Sequence, residues 1–202
     1  DYEKNYKKLN FSKCKGETLV ILSGAGKISG CVLRILEQLK DESVEVLYVK
    51  PSNSKLTGQS FVRDKIVYGV LQEYARSGAI RTLYLICNSQ LEGILGDVPI
   101  LGYHEKLNSL IVPTVHMINV YKNTKPVMGG LPAPSKDSTR RISTVGIFDI
   151  KKSEEKLFFP LDTAREKGYI YSISKERLQS EGDLHKTIIS QIKEKSQDEK
   201  MN

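Results

Sequence analysis

The sequence predicts an α/β fold: a parallel sheet flanked by helices, a long central helix, and a smaller α+β C-terminal domain. Three observations carry that expectation. Short apolar runs alternate with stretches of helical periodicity through the first half of the chain. Residues 103–121 are then so densely apolar that one long helix is expected. Finally, a Pro- and Gly-containing stretch, 122–141, separates that helix from a second set of short strands. With 202 residues, 39% of them hydrophobic and 27% charged, the chain can bury a sizeable core, and collagen-like or wholly disordered structure is excluded.

The elements follow in order. Glu17–Leu22 (ETLVIL) reads as a buried parallel strand that ends at a Ser-Gly-Ala-Gly turn. From Ile28 to Lys40, Ile28, Cys31, Val32, Ile35, Leu36 and Leu39 recur at three- and four-residue spacing, the pattern of an amphipathic helix. Val44–Val49 is the next strand, broken by Pro51-Ser-Asn-Ser. Gln59–Arg76 is a second helix, with Phe61, Ile66, Val70, Leu71 and Tyr74 as its apolar face and Gly78 as its C-terminal stop. Arg81–Cys87 is a third buried strand. Tyr103–Tyr121 is the long apolar helix, and Pro113 inside it should kink or split it. Ile142–Ile150 and Gly168–Ser174 read as strands, and Gly182–Lys195 as an amphipathic tail helix. The expected organisation is 1–100 for the α/β part, 101–122 for the central helix, 123–141 for a linker, 142–195 for the C-terminal domain and 196–202 for a disordered tail.

Charge and cysteine content narrow the functional classes. The formal charge is +7, but Lys4, Lys7, Lys8, Lys13, Lys15, Arg140, Arg141, Lys151 and Lys152 are scattered along the chain. Trp is absent and no segment interleaves aromatics with arginines, so a solvated basic surface is favoured over a nucleic-acid groove. The apolar runs are too short to cross a bilayer, and the polar, lysine-rich start does not resemble a secretory leader. Cys14, Cys31 and Cys87 have no metal-ligand spacing, which suits a reducing, cytoplasmic compartment.

The segment Ser23-Gly-Ala-Gly-Lys-Ile-Ser-Gly30 is the sharpest local feature. Between a strand and a helix, free backbone N–H groups and the helix dipole favour an anion, and Ser23 or Ser29 could donate hydrogen bonds. The spacing fits neither a P-loop nor the dinucleotide fingerprint. His104, His116 and His185 do not converge in sequence, and no serine or cysteine has the surroundings of a nucleophile.

The order of these motifs resembles the tubulin/FtsZ superfamily of cytomotive GTPases, nearest its divergent phage and plasmid types (PhuZ, TubZ), over roughly residues 11–195. ETLVIL with Ser23–Gly30 is similar to that family's strand and glycine-rich phosphate loop. Val44–Pro51 resembles the next strand, and Leu56-Thr-Gly58 the Phe-Glu-Gly turn before a long helix. Leu85–Leu91 (LICNSQL) resembles the strand end whose asparagine contacts guanine, and Tyr103–Asn108 (YHEKLN) the start of the central helix. The resemblance implies a phosphate site at Gly24, Ala25, Gly26, Lys27, Ser29 and Gly30. It implies guanine contacts from Asn88, from Tyr103 or His104 by stacking, and from Asn108. It also implies GTP or GDP as ligand, Mg2+ accompanying the nucleotide, and head-to-tail self-association into filaments or oligomers.

The departures have consequences. The family's nucleotide domain begins with further β/α units that have no counterpart here, which implies a piece of a longer protein or a shortened relative. Thr57 stands where the ribose-binding Glu would be. The loop that supplies water-positioning aspartates reads Asn119-Val-Tyr-Lys-Asn-Thr-Lys125 and holds no carboxylate. No catalytic residue is therefore assigned, and GTP hydrolysis should be weak or absent. Two other classes fit part of the pattern. One is a structural module that kept the fold without nucleotide. The other is a Rossmann-like enzyme, for which Lys50-Pro-Ser-Asn53 offers a cation rather than a ribose-binding acid.

Overall fold

A computed structural model describes residues 7, 9–39, 43–131, 136–150 and 152–198. Strands β1 (Glu17–Leu22), β2 (Ser43–Lys50) and β3 (Thr82–Cys87) lie side by side, and a short β4 (Ile142–Thr144) continues the sheet in the order β1-β2-β3-β4. All pairings are parallel, with Leu22 opposite Tyr48 and Tyr48 opposite Leu85. Parallel neighbours need crossovers, and the helices α1 (Cys31–Gln38) and α2 (Gly58–Ser77) provide the first two. The helix-flanked parallel α/β sheet expected from the sequence is thus present.

Each face of the sheet has its own core. On one, Val44, Val46 and Tyr48 of β2 and Leu83 and Leu85 of β3 meet Leu36 and Leu39 around α1 and Val67, Leu71 and Ala75 of α2. On the other, Leu47 and Ile86 meet Leu91 of α3 (Asn88–Leu95), Leu107 and Ile111 of α4 (Tyr103–Asn123), and Phe158. Strands covered on both faces carry continuous rather than alternating apolar residues, which is why β2 and β3 stand out in the sequence. A fully buried leucine such as Leu71 contributes roughly 1.5–3 kcal/mol.

Several elements differ from expectation. Helix α1 starts at Cys31 rather than Ile28, because Ser29 Oγ donates to the Ser23 carbonyl at 2.5 Å and residues 24–30 wind into successive turns. Ile28 is consequently exposed, and Lys40 lies outside the described residues. On α2 the buried face is Asp64, Val67, Leu71 and Ala75, while Phe61 and Ile66 are exposed. Gly78 stops that helix with φ +81°, a conformation that favours glycine.

Helix α4 runs through Pro113 without a break. The N–H that proline lacks leaves the Ser109 carbonyl without its helical donor, but the turn is reinforced by Thr114 Oγ1 donating to the Leu110 carbonyl at 2.8 Å. Only Leu107 and Ile111 are fully buried, and Val112 and Val120 are exposed, so α4 covers the sheet with one stripe rather than burying all its faces. Lys122 near its far end donates to both oxygens of Glu45 at 2.7 and 2.5 Å. Since Glu45 lies at the start of β2, α4 spans the sheet from its carboxyl to its amino edge.

The stretch 142–150, expected as one strand, divides at Val145. Its first part joins β3, and its second, β5 (Gly146–Asp149), pairs antiparallel with β6 (Glu154–Leu157). A side chain at Gly146 would meet Leu157 Cα at 3.0 Å, so glycine permits this close pairing. Gly168–Ser174, also expected as a strand, forms no ladder. It docks through side chains: Tyr169 and Tyr171 pack edge-on against Phe148, and Tyr169 donates to Glu155. Two helices follow, α5 (Lys175–Ser180) and α6 (Leu184–Asp198). Helix α6 extends past Lys195 into the tail expected to be disordered, of which 199–202 lie outside the described residues. Among the described residues no helix is long and apolar enough to cross a membrane.

Candidate functional site

In open parallel sheets the carboxyl ends of the strands and the loops beyond them form the crevice in which ligands bind. Here that edge carries the Ser23–Gly30 turn after β1, Lys50 at the end of β2, and Asn88 immediately after β3. The register places Leu22, Tyr48 and Leu85 in one row across the sheet, so the three loops leave it side by side.

Beneath the glycine turn lies a buried polar cluster. Asp64 of α2 is 1% exposed and accepts hydrogen bonds from the Tyr48 phenol and, at 2.8 Å, from Lys50 Nζ. Tyr48 stacks on Tyr68 with 5.4 Å between ring centroids, and the Lys50 ammonium lies 5.1 Å from the Tyr68 centroid. Burial, and then the adjacent Asp64 carboxylate, push the Tyr48 phenol far above its ordinary range, while a backbone bond from Gly24 acts weakly the other way. Tyr48 is thus a neutral donor that satisfies a buried carboxylate.

This cluster explains Gly24. A Cβ there would overlap the Tyr48 phenol oxygen and stand 2.8 Å from Asp64 Oδ1. Glycine at this position lets the turn sit on the Tyr48–Asp64 pair. Gly30, in contrast, has open space where a Cβ would be, and at Gly26 only Ser29 Oγ, at 3.0 Å, would be met. Arg63 Nε of α2 donates to the Ala25 carbonyl at 3.3 Å, a second tie between the turn and that helix. The N–H groups of Lys27, Ile28 and Gly30 donate to no described residue, and Gly30 is the N-cap of α1.

A second cluster lies beyond β2 and β3. Lys55, in the short turn Asn53–Lys55, donates to Glu92 Oε1 at 2.9 Å, and its ammonium lies 4.0 Å from the Tyr103 ring centroid. The Tyr103 hydroxyl donates to the same Glu92 oxygen. The tyrosine bond, followed by the lysine, holds the Glu92 carboxyl below its ordinary value, and Glu92 in turn raises the Lys55 ammonium. Three elements (the turn after β2, α3, and the start of α4) are thereby joined at one carboxylate.

Of the residues singled out from the sequence, Gly24, Ala25, Gly26, Lys27, Ser29 and Gly30 share the turn after β1. Asn88 is the first residue of α3, and its Oδ1 is covered yet accepts no hydrogen bond from any described residue. Tyr103 begins α4 and reaches α3 through Glu92, His104 meets the Tyr103 ring edge-on at 5.2 Å, and Asn108 is exposed on α4. Lys50, a cation suited to a ligand phosphate in the Rossmann-like reading, is engaged by Asp64 instead. Sequence reasoning missed Tyr48, Asp64, Lys55 and Glu92. Among the described residues no group of His, Cys, Asp or Glu is arranged to hold a metal ion. No family model matches the chain, and no curated protein matches it.

Proposed function

We propose that this chain is a tubulin/FtsZ-like assembly protein of the cytoplasm that binds guanine nucleotide, self-associates head to tail, and hydrolyses GTP weakly or not at all. The observation that carries the reading is Asn88. Its Oδ1 is a covered acceptor without a donor among the described residues, at the carboxyl end of an inner strand, a state that costs about 1–3 kcal/mol. Rotation of this half-exposed side chain toward a ligand N–H would relieve that cost, and guanine offers such donors at N1 and the 2-amino group. The glycine turn supports the phosphate end: its N–H groups at 27, 28 and 30 donate to no described residue and precede α1, where a helix N-terminus favours an anion. Any Mg2+ would come with the phosphates. Weak hydrolysis follows from Asn119–Lys125, a segment without a carboxylate to orient water.

Calorimetry with GDP and GTP tests this reading. Micromolar binding by the native chain, weakened about tenfold or more by Asn88→Ala and less by the exposed Asn108→Ala, is the expected result. A folded protein that binds neither nucleotide would instead favour a scaffold that works through partners alone. Light scattering that rises with protein concentration only when GTP is present would support the assembly part. Assembly without nucleotide would point to the nucleotide-free structural module.

A further inference from the structure

The residues that surround Tyr103 carry a further consequence, which rests on the guanine-nucleotide reading. Lys55 and Glu92 form a donor beside an acceptor, 2.9 Å apart, and both touch Tyr103. Guanine carries the complementary pair on one edge, the O6 acceptor beside the N1–H donor. Adenine carries the reverse, the N6 amino donor beside the unprotonated N1. We propose that Lys55 and Glu92 are the specificity-determining pair of the site, exchanging their contact with each other for O6 and N1–H of a guanine laid on Tyr103.

The geometry suits that exchange. Lys55 occupies a face of the Tyr103 ring, as a planar base would, and half of its side chain is exposed, so it can swing to the rim of an incoming base. Glu92 stays in place because the Tyr103 hydroxyl holds it independently of the lysine. It also lies four residues after Asn88 on α3, hence on the same helix face. The two acceptors therefore divide the base between them: Glu92 takes N1–H, and Asn88 takes the 2-amino group. Against adenine the same pair is repulsive twice over, ammonium against amino group and carboxylate against the N1 lone pair. Exposed cation–aromatic contacts are weak, so displacing Lys55 from the ring lowers affinity for any base only about two- to fivefold.

The experiment measures GDP, inosine diphosphate and ADP binding by calorimetry on the native chain and on Glu92→Gln, Lys55→Met and Asn88→Ala. Inosine diphosphate keeps O6 and N1–H and lacks only the 2-amino group. The native chain should prefer GDP to ADP by at least tenfold, and Glu92→Gln, whose amide can donate as well as accept, should reduce that ratio about tenfold. Lys55→Met should reduce it less, because the half-exposed ammonium it removes makes a solvent-screened contact, and the freed ring face favours every base alike and cancels in the ratio. Asn88→Ala should erase the difference between GDP and inosine diphosphate and leave the preference over ADP in place. A GDP-to-ADP ratio unchanged in both Glu92→Gln and Lys55→Met, with all nucleotides weakened alike, overturns the proposal and reduces the cluster to a structural tie. Failure of the native chain to bind any of the three overturns the nucleotide reading itself, a result distinct from unchanged ratios.

Discussion

The two polar clusters at the carboxyl edge of the sheet are built from the same kinds of side chain and behave differently. Each joins a lysine and a tyrosine to one carboxylate: Lys50 and Tyr48 to Asp64, Lys55 and Tyr103 to Glu92. The first is buried, with Asp64 1% and Lys50 18% exposed at the side chain, whereas Lys55 and Glu92 are 54% and 27% exposed. Burial makes the first an all-or-none structural element, since removing one partner leaves a charge without solvent or counter-ion. Exposure makes the second exchangeable, because water or a ligand can replace either contact at small cost. One edge of one sheet thus has a fixed half, which shapes the glycine turn, and an adaptable half, the one to which the proposed base contacts are assigned.

Asp64→Ala breaks the comparison most sharply. It strands Lys50 and removes the acceptor of a buried phenol, so it should lower unfolding free energy by about 3–5 kcal/mol in urea denaturation. Asp64→Asn, which keeps an acceptor for Tyr48, should lose less. A loss below about 1 kcal/mol for the alanine variant would show that the two clusters are equivalent.

Gly24→Ala comes next. Its Cβ would overlap the Tyr48 phenol oxygen, and overpacking of this kind costs about 1–3 kcal/mol. Tyr48→Phe removes the overlapped oxygen while leaving Asp64 Oδ1 without its donor. The double variant should consequently be more stable than the sum of the two single losses implies, a coupling that thermal or urea unfolding of the four-member cycle measures. Additive losses would mean that Gly24 is glycine for some reason other than this packing.

The contrast between the clusters also explains what the sequence made legible. Strands β2 and β3 were readable because a parallel strand covered on both faces is a continuous apolar run, whereas β1, read as buried, is an edge strand whose Leu19 and Ile21 are exposed. The glycine turn was readable because glycines between a strand and a helix are rare without a backbone reason. Asp64 was not, since an acid on a helix ordinarily marks the solvent side, and the partners that reverse this, Tyr48 and Lys50, come from a neighbouring strand. The spacing of 64, 67, 71 and 75 held the correct face of α2, but it required reading Asp64 as buried. Helix α3 escaped because it begins at the residue after β3 and is only eight residues long, with no breaker between them. Without α3, Glu92 had no face and could not be placed beside Tyr103. Pro113 misled in the opposite direction, since a single missing N–H did not outweigh the packing of Leu107 and Ile111 on the sheet.

The smallest effect tests the adaptable half by itself. Glu92 is held below the ordinary carboxyl value of 4.5, first by the Tyr103 hydroxyl and then by Lys55, so the unfolded chain protonates it more readily than the folded one. The stability that this tie contributes is therefore complete above about pH 4.5 and is lost as pH falls through the lower folded value. Because the pair is largely exposed, the native chain and Glu92→Gln should differ by no more than about 1 kcal/mol at neutral pH and converge in acid. The phenol is the larger cause, so Tyr103→Phe should raise the Glu92 titration midpoint, followed by NMR, more than Lys55→Met does. Added salt should reproduce the Lys55→Met shift, since it screens the ammonium and leaves the neutral phenol bond in place. A midpoint that moved more on losing the lysine than on losing the hydroxyl would mean that the ion pair, rather than the phenol, anchors Glu92. Displacing Lys55 by a base would then release the carboxylate as well, and the exchange inferred for guanine would lose its fixed partner.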